Sequence, residues 1–462
     1  MPFICPMLWL GFACSLLITC FLSTKKSLMQ LLVCVLISPV LLIGGQTVRI
    51  ELVFVPVLLA ISLSFRPLRF VHAFTRPCSI VLVGWLVWII FASVLKGGVC
   101  IFGSVSWWMN VYGLTRLLMV FWLFSMFSWT ALEVRQLFKL LALTVVPIGI
   151  LSLSQVLGIN VARAYTVAAY VPATSPVFQQ QLEKEADGYV FRALGVFGNV
   201  SPNAFYFAIA AGCCLLALLR EREVKQTILW LTCGLFCLLG GIATMSGTFI
   251  AGFPIIIVLC LWLSRKCGIR KRLLVLLGVL MLVVTVTLGI VYSIPQLKIQ
   301  CDYQVDGLLS GERFKSRYDD EVGVTHEAVL VLSQNPLTGG FGREMDIFIG
   351  DSLFTHISYY GGYTGTVIFA AFLVTLFINI QRGGGCAYGT LWFLGAFVFG
   401  VSTTSIFTLR LSDWWWAIMG IMSARKIAHP FYKKKTRYMR EGGTTVAGSI
   451  PSRLGQTCTG GD

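Results

Sequence analysis

The chain has 462 residues, of which 57% are hydrophobic and only 12% charged, with a formal net charge of +16. Soluble domains carry roughly 45–50% apolar and about 25% charged residues, so a water-soluble globular enzyme is excluded. A disordered chain is excluded too, because its apolar content would be low. Apolar stretches recur from residue 6 to residue 423. They are continuous over about 20 residues, the length of a membrane-crossing helix. The alternating strands of a membrane barrel, about 10 residues each, do not fit. The expectation is an all-α polytopic membrane protein.

Thirteen candidate spans follow in chain order: 6–22, 28–45, 50–65, 78–95, 112–129, 137–158, 202–219, 226–243, 248–263, 273–294, 356–380, 388–407 and 411–423. The first and last are short, so the expected number is about 12–13 transmembrane helices. The break between the second and third rests on Gln46, Thr47, Arg49 and Glu51. The first run does not resemble a cleavable signal: no basic residue precedes it, Lys25 and Lys26 follow it, and no small-residue cleavage site is evident. Residues 1–423 thus form an integral membrane domain. A basic, Gly/Ser/Thr-rich tail over 424–462 is expected to be cytoplasmic and disordered.

Orientation follows from Lys and Arg placement. One set of connections carries Lys25, Lys26, Arg66, Arg69, Arg76, Arg135, Lys139, the clusters at 220–225 and 265–272, Arg382 and the tail. It holds 24 Lys+Arg against 5 Asp+Glu, whereas the remainder holds 12 against 15. The basic side is expected to be cytoplasmic. The net charge then reflects topology and attraction to anionic membrane lipids, not a nucleic-acid surface. Two connections on the other side are long, 159–201 and 295–355, and long loops in compact proteins tend to be functional or disordered. They mix glycine, proline, aromatic residues and both signs of charge, which suits a folded or substrate-ordered state. Most of the 15 cysteines sit inside apolar runs, where they pack as small residues, and no Cys-x-x-Cys pair lies outside a span.

The first long loop ends in Arg192, Gly195, Phe197, Gly198, Asn199, Ser201, Pro202 and Asn203. The glycines permit close backbone approach, Pro202 suits a first helical turn, and Asn199 or Ser201 can cap the amides. An arginine beside such a helix start makes a seat for phosphate; an ordinary cap with a snorkelling arginine is the alternative. In the second loop Arg313, Lys315 and Arg317 precede Asp319, Asp320 and Glu321. On a helix Arg313 and Arg317 share one face and can grip a diphosphate bidentately. A self-paired, solvated charged segment is the alternative. The three acids lack a full ligand set, so no metal is expected. His326 and His356 are titratable, although a lone histidine at a membrane surface is more often packed. Asp351 lies just before the next span. Between two spans, 244–248 forms a polar turn. Arg116, Arg410 and Asp413 are placed at span ends, with Arg410 and Asp413 close enough to pair, and Trp414, Trp415 and Trp416 suit an interfacial belt.

Taken in order, these segments resemble the superfamily of O-antigen polymerases and O-antigen ligases. The family pattern runs from an arginine and glycine into a Phe-Gly-Asn-Pro-Asn-like helix start, then a Ser-Arg-Thr-Gly-like turn. A large periplasmic loop follows, with Ser-Gly-Arg and later Asn/His-Pro-Leu-x-Gly-x-Gly, and then a polar pair before a span with Gly-x-x-Gly. The matching stretches here are 192–203, 245–248, 310–313, 335–342 and 351–365. The chain departs from the pattern in several places. Val200 and Ser201 are inserted before Pro202, the 245–248 turn lacks its arginine, and the interval from Arg313 to Pro336 is long, which makes Arg317 an alternative to Arg313. The His-Asn pair shared by ligases falls, counted back from Gly361, on Gly350 and Asp351, which favours the polymerase branch.

The resemblance implies glycosyl transfer on the periplasmic face of a bacterial inner membrane. Donor and acceptor would be undecaprenyl-diphosphate-linked oligosaccharides. Arg192 and Arg313, with Arg317 as alternate, would bind the leaving diphosphate, and Asp351 or His326 would be the general base. Neither cofactor nor metal is implied. A chain-length regulator and a flippase are the expected partners, and nucleic acid is not. Transfer of finished polymer by a ligase, or transport of lipid-linked sugars, are the alternatives. The apparent scarcity of charge inside the spans speaks against transport.

Overall fold

The computed structural model describes residues 4–43, 46–97, 99–170, 176–219, 221, 223–264, 278, 285, 289, 292, 293, 295–312, 315, 325–341, 352–382, 387–401, 403, 404, 406, 407 and 410–424. In these residues the chain is built of α-helices. They are α1 (Ile4–Leu22), α2 (Thr24–Ile37), α3 (Ile50–Phe65), α4 (Pro67–Phe74), α5 (Pro77–Gly97), α6 (Val105–Ser125), α7 (Ala131–Val156), α8 (Asn160–Ala169) and α9 (Pro176–Ala186). Then come α10 (Val200–Leu218), α11 (Val224–Ala243), α12 (Gly247–Ser264), α13 (Pro295–Leu309), α14 (His326–Gln334), α15 (Leu353–Arg382), α16 (Ala387–Val398) and α17 (Leu411–Ser423). A short antiparallel hairpin, β1 (Leu41–Ile43) and β2 (Gln46–Val48), replaces the predicted polar break, with Leu41 opposite Val48.

Seven of these helices are long and apolar enough to cross a membrane, or eight if the bent α3–α4 pair counts as one. The chain is therefore a multi-pass helical membrane protein. The difference from thirteen has local causes. Helix α2 stops after 14 residues, where Ser38-Pro39 ends it. Helix α6 is 21 residues long but carries Asn110 and Arg116. Helices α16 and α17 have 12 and 13 residues, which at 1.5 Å per residue cover about 20 Å of a roughly 30 Å hydrocarbon core. The stretch 273–294 falls mostly outside the described residues.

Helix α7 separates two groups of connections. Its start is a capping box: Glu133 N donates to Thr130 Oγ1 at 3.2 Å, and Thr130 N donates to Glu133 Oε2 at 2.8 Å. Lys25, between α1 and α2, donates to both Glu133 oxygens at 2.9 and 3.0 Å. Arg135 pairs with Glu221 from the α10–α11 connection. This is the basic end of the bundle. The other, outer end of α7 meets α8 and the 192–195 segment.

The hub is α10, of which 94% of the apolar window is buried. It is apolar all round, as a helix enclosed by other helices must be, and it packs on α7, α11, α12 and α16. Small residues let the backbones approach: a methyl group at Gly240 would fall inside the Phe207 ring, and one at Gly420 would strike the Phe121 carbonyl. Elsewhere α6 packs on α17 and α5 on α15. Trp414, Trp415 and Trp416 are fully buried, which corrects their placement in an interfacial belt. Short α17 is covered on every side, and the Trp414 and Trp416 indoles donate inward to Leu32 O at 2.8 Å and Ile406 O at 2.9 Å.

Candidate functional site

Arg192 stands at the outer end of the central helix, in a segment held from three sides. From α7, Gln155 Oε1 accepts from Leu194 N at 3.0 Å and Gly195 N at 3.1 Å. From α10, Asn203 Nδ2 donates to Ala193 O at 3.2 Å. At the end of α11, Ala193 N donates to Ala243 O at 3.1 Å, and Arg192 Nε donates to Thr244 O at 3.2 Å. The guanidinium is thus located by a carbonyl at a helix C-terminus, where its charge is favoured. Gly195 has φ +58°, and any Cβ there would collide with the Asn203 side chain. Asn199 caps α10 by accepting from Ser201 N at 3.1 Å. The inserted Val200 and Ser201 simply become its first turn.

The described residues of the first long loop are folded. Arg163 of α8 makes a two-pronged pair with Glu185 of α9 at 2.9 and 2.8 Å, and lies 4.4 Å over the Phe191 ring. Planar guanidinium groups favour this combination of fork and stack.

The turn between α11 and α12 joins the same rim. Met245 takes φ +44°, and Gly247 N donates to Gln304 Oε1 of α13 at 3.1 Å. The Tyr189 and Tyr303 rings approach to 6.4 Å. Helix α13 then leads to Ser310 and to Gly311, at φ +72°. Two of the motif-bearing stretches, 192–203 and 244–247, therefore meet, and α13, which precedes Ser310, joins them through Gln304. Arg313, Arg317, Asp319, Asp320, Glu321 and Asp351 lie outside the described residues.

The Asn335–Pro336–Gly339–Gly340 stretch belongs to a second assembly. Helix α15 is kinked at Gly362, φ +64°, ψ −165°. The kink deprives Tyr363 N of its helical partner, and Pro336 O accepts from it at 2.7 Å. In return Gly340 N donates to Tyr359 O at 2.6 Å. From α5, Lys96 Nζ donates to Thr338 O at 3.0 Å and also to Gly339 O, and Trp88 Nε1 donates to Gly361 O at 2.8 Å. His326 opens α14, which packs on α15. It belongs to this assembly, not to the elements that hold Arg192. His356 takes the packed role, its Nδ1 3.1 Å from Ser352 O and its ring against Tyr360 and Phe407.

A buried charge cluster lies between α2, α3, α6 and α17, and it corrects two expectations. Arg116 is not at a span end. Helix α6 starts at Val105, so Arg116 is well inside it, and it pairs with Asp413. Arg410 does not pair with Asp413. Its Nη1 donates to Val35 O, Leu36 O and Ser38 O at 3.2, 3.1 and 2.9 Å, closing the open carbonyl end of α2. Its guanidinium stacks 4.7 Å over Tyr170, whose phenol burial pushes up in pKa while Arg410 opposes that. Glu51, also buried, pairs with Arg49 at 3.3 Å. The outer end thus links this cluster, through Tyr170 and α8, to Gln155 and the Arg192 segment.

Sequence alone singled out neither Gln155 and Gln304 at the rim nor Lys96 in the second assembly. For Gln155 a signal existed: an amide inside an apolar run must find partners. Among the described residues no three His, Cys, Asp or Glu side chains come together as a metal site. Comparison with known protein families, curated proteins and solved structures finds no match to this chain.

Proposed function

We propose that this protein is a membrane glycosyltransferase that polymerises undecaprenyl-diphosphate-linked oligosaccharide repeat units at the outer, periplasmic end of its bundle. The observation that carries the proposal is the convergence of the Arg192 segment, the 244–247 turn and α13 on one rim. In the reaction the acceptor hydroxyl oxygen attacks the anomeric carbon of the donor. The bond from that carbon to the diphosphate oxygen breaks, and the hydroxyl proton passes to a base. Arg192, with Arg313 or Arg317 arriving from beyond α13, neutralises the charge that develops on the leaving diphosphate. Asp351 accepts the proton; His326, the other residue expected in that role, opens α14 in the second assembly and is the weaker choice. The apolar helices below the rim accommodate the isoprenoid.

One observation favours a second function, transport of the same lipid-linked sugars. The Arg116–Asp413 pair and Glu51 are buried charges within the bundle, and such residues often mark transport pathways. The complete burial of α17, with its three tryptophans, favours a locked structural pair instead.

A surface-polysaccharide gel from a deletion strain, with and without the restored gene, separates these functions. A ladder collapsed to core plus one repeat unit supports polymerisation. Long chains stranded on the lipid carrier would mean ligation. Repeat units retained in the cytoplasmic leaflet would mean transport, and an intact ladder would overturn all three.

A further inference from the structure

At the basic end the chain bends by 113° between α3 and α4, which lays α4 across the bundle instead of along it. One face of α4 is seated on the protein. Ala73 is fully buried, and the Phe70 and Phe74 rings meet Trp122 of α6 at 5.9 and 5.3 Å. The other face is bare: Leu68 is 83% exposed and Val71 56%, and Phe65 before the bend is 81% exposed. Such a helix, apolar on its outer side and lying crosswise, belongs in a membrane interface.

Two hollows flank it. One, of about 510 Å³, is lined by Lys25 and Arg66; the other, of about 430 Å³, is lined by Arg69, His72 and Arg76. Phe127 forms a wall of both, and among the described residues no Asp or Glu lines either. Glu133, the nearby acid, is engaged by Lys25 through both oxygens. The Arg66 guanidinium lies 5.2 Å over the Phe127 ring, which orients it. Arg69 and His72 are exposed.

We propose that α4 and its two hollows bind an anionic phospholipid of the adjoining leaflet. The lipid phosphate meets Arg66 and Arg69, and the acyl chains run along Phe65, Leu68 and Val71. Basic hollows between membrane helices suit acidic head groups, and both volumes fall within the roughly 300–1,000 Å³ of small-ligand sites. A zwitterionic head group carries its own cation, which the arginines repel. Free phosphate makes no use of the bare apolar face. The site is independent of the glycosyl-transfer reaction, which lies at the other end of the bundle.

The test is native mass spectrometry of the full chain in mild detergent, with phosphatidylglycerol or phosphatidylcholine added at equal concentration. Phosphatidylglycerol adducts should exceed phosphatidylcholine adducts by about fivefold or more, given several cations at one site. The triple variant Arg66→Gln, Arg69→Gln, Arg76→Gln should lose that preference, while Lys139→Gln with Lys225→Gln should keep it. Where the triple variant fails to fold, Arg69→Glu alone, at an exposed position, should lower phosphatidylglycerol binding. Equal binding of the two lipids would overturn the site, as would a preference that survives these variants. Displacement of the lipid by excess inorganic phosphate would assign the hollows to a simple anion and overturn the lipid.

Discussion

The Arg116–Asp413 pair offers a quantitative test of the bundle's assembly. The two side chains are 3% and 1% exposed, and among the described residues Arg116 Nε and Asp413 Oδ2 find no hydrogen-bond partner. Among the described residues, the one ion pair therefore carries the compensation for two buried charges. Asp413→Ala strands the guanidinium, and breaking a buried pair on one side costs about 3–5 kcal/mol. That is roughly a 10²- to 10³-fold shift, or somewhat more, in the folded-to-unfolded ratio. Arg116→Met strands the carboxylate at a similar cost. The double variant Arg116→Met, Asp413→Leu removes both charges and should cost less than either single change, because an apolar pair of similar volume replaces a buried ion pair nearly neutrally. The assay is SDS titration of the detergent-solubilised protein followed by tryptophan emission, for which Trp414, Trp415 and Trp416 are adjacent reporters. Strictly additive costs in the double variant would refute the pairing.

Other outcomes are expected at the rim and at α2. Arg192→Ala and Arg313→Ala should each abolish polymer formation while membrane insertion, followed by immunoblot of membrane fractions, is unchanged; normal chain lengths in both would sink their assignment to the diphosphate. Gly195→Ala should destabilise the rim by about 1–3 kcal/mol through its left-handed backbone, with more from the clash with Asn203, and would show as a lower thermal midpoint. Gln155→Leu leaves two buried amides without their acceptor, at about 1–3 kcal/mol each, whereas Gln155→Glu keeps the acceptor and should cost less in the same melt. Arg410→Lys retains the charge but not the planar guanidinium that stacks on Tyr170 while reaching the α2 carbonyls, so it should recover less than half of the stability that Arg410→Met loses.

The helices were legible in advance because the requirement behind them is local. A chain in hydrocarbon must satisfy its own backbone, so each apolar run announces a helix, and Ile50–Phe65 and Leu411–Ser423 start and stop where hydropathy places them. The Arg192 segment was legible for a related reason: glycines, an asparagine cap and a nearby proline each carry a short-range conformational meaning. Span length was less legible. Ser38-Pro39 shortened α2, and α16 and α17 stop short of a full crossing.

Charge and tryptophan placement were not legible, because those depend on what lies opposite. An arginine and an aspartate 297 positions apart give no local sign that they meet. Arg410 looked like the partner of Asp413 by spacing, yet the unsatisfied carbonyls of α2 took it. Three consecutive tryptophans read as a membrane belt until α2, α6 and their neighbours closed around them. The sequence by itself determined a helical membrane protein with a basic end and motif-bearing loops, since hydropathy and cap chemistry act over a few residues. Only the tertiary structure decided which charges are buried together and which loops share a rim, since desolvation and hydrogen-bond satisfaction are settled between segments far apart in the chain.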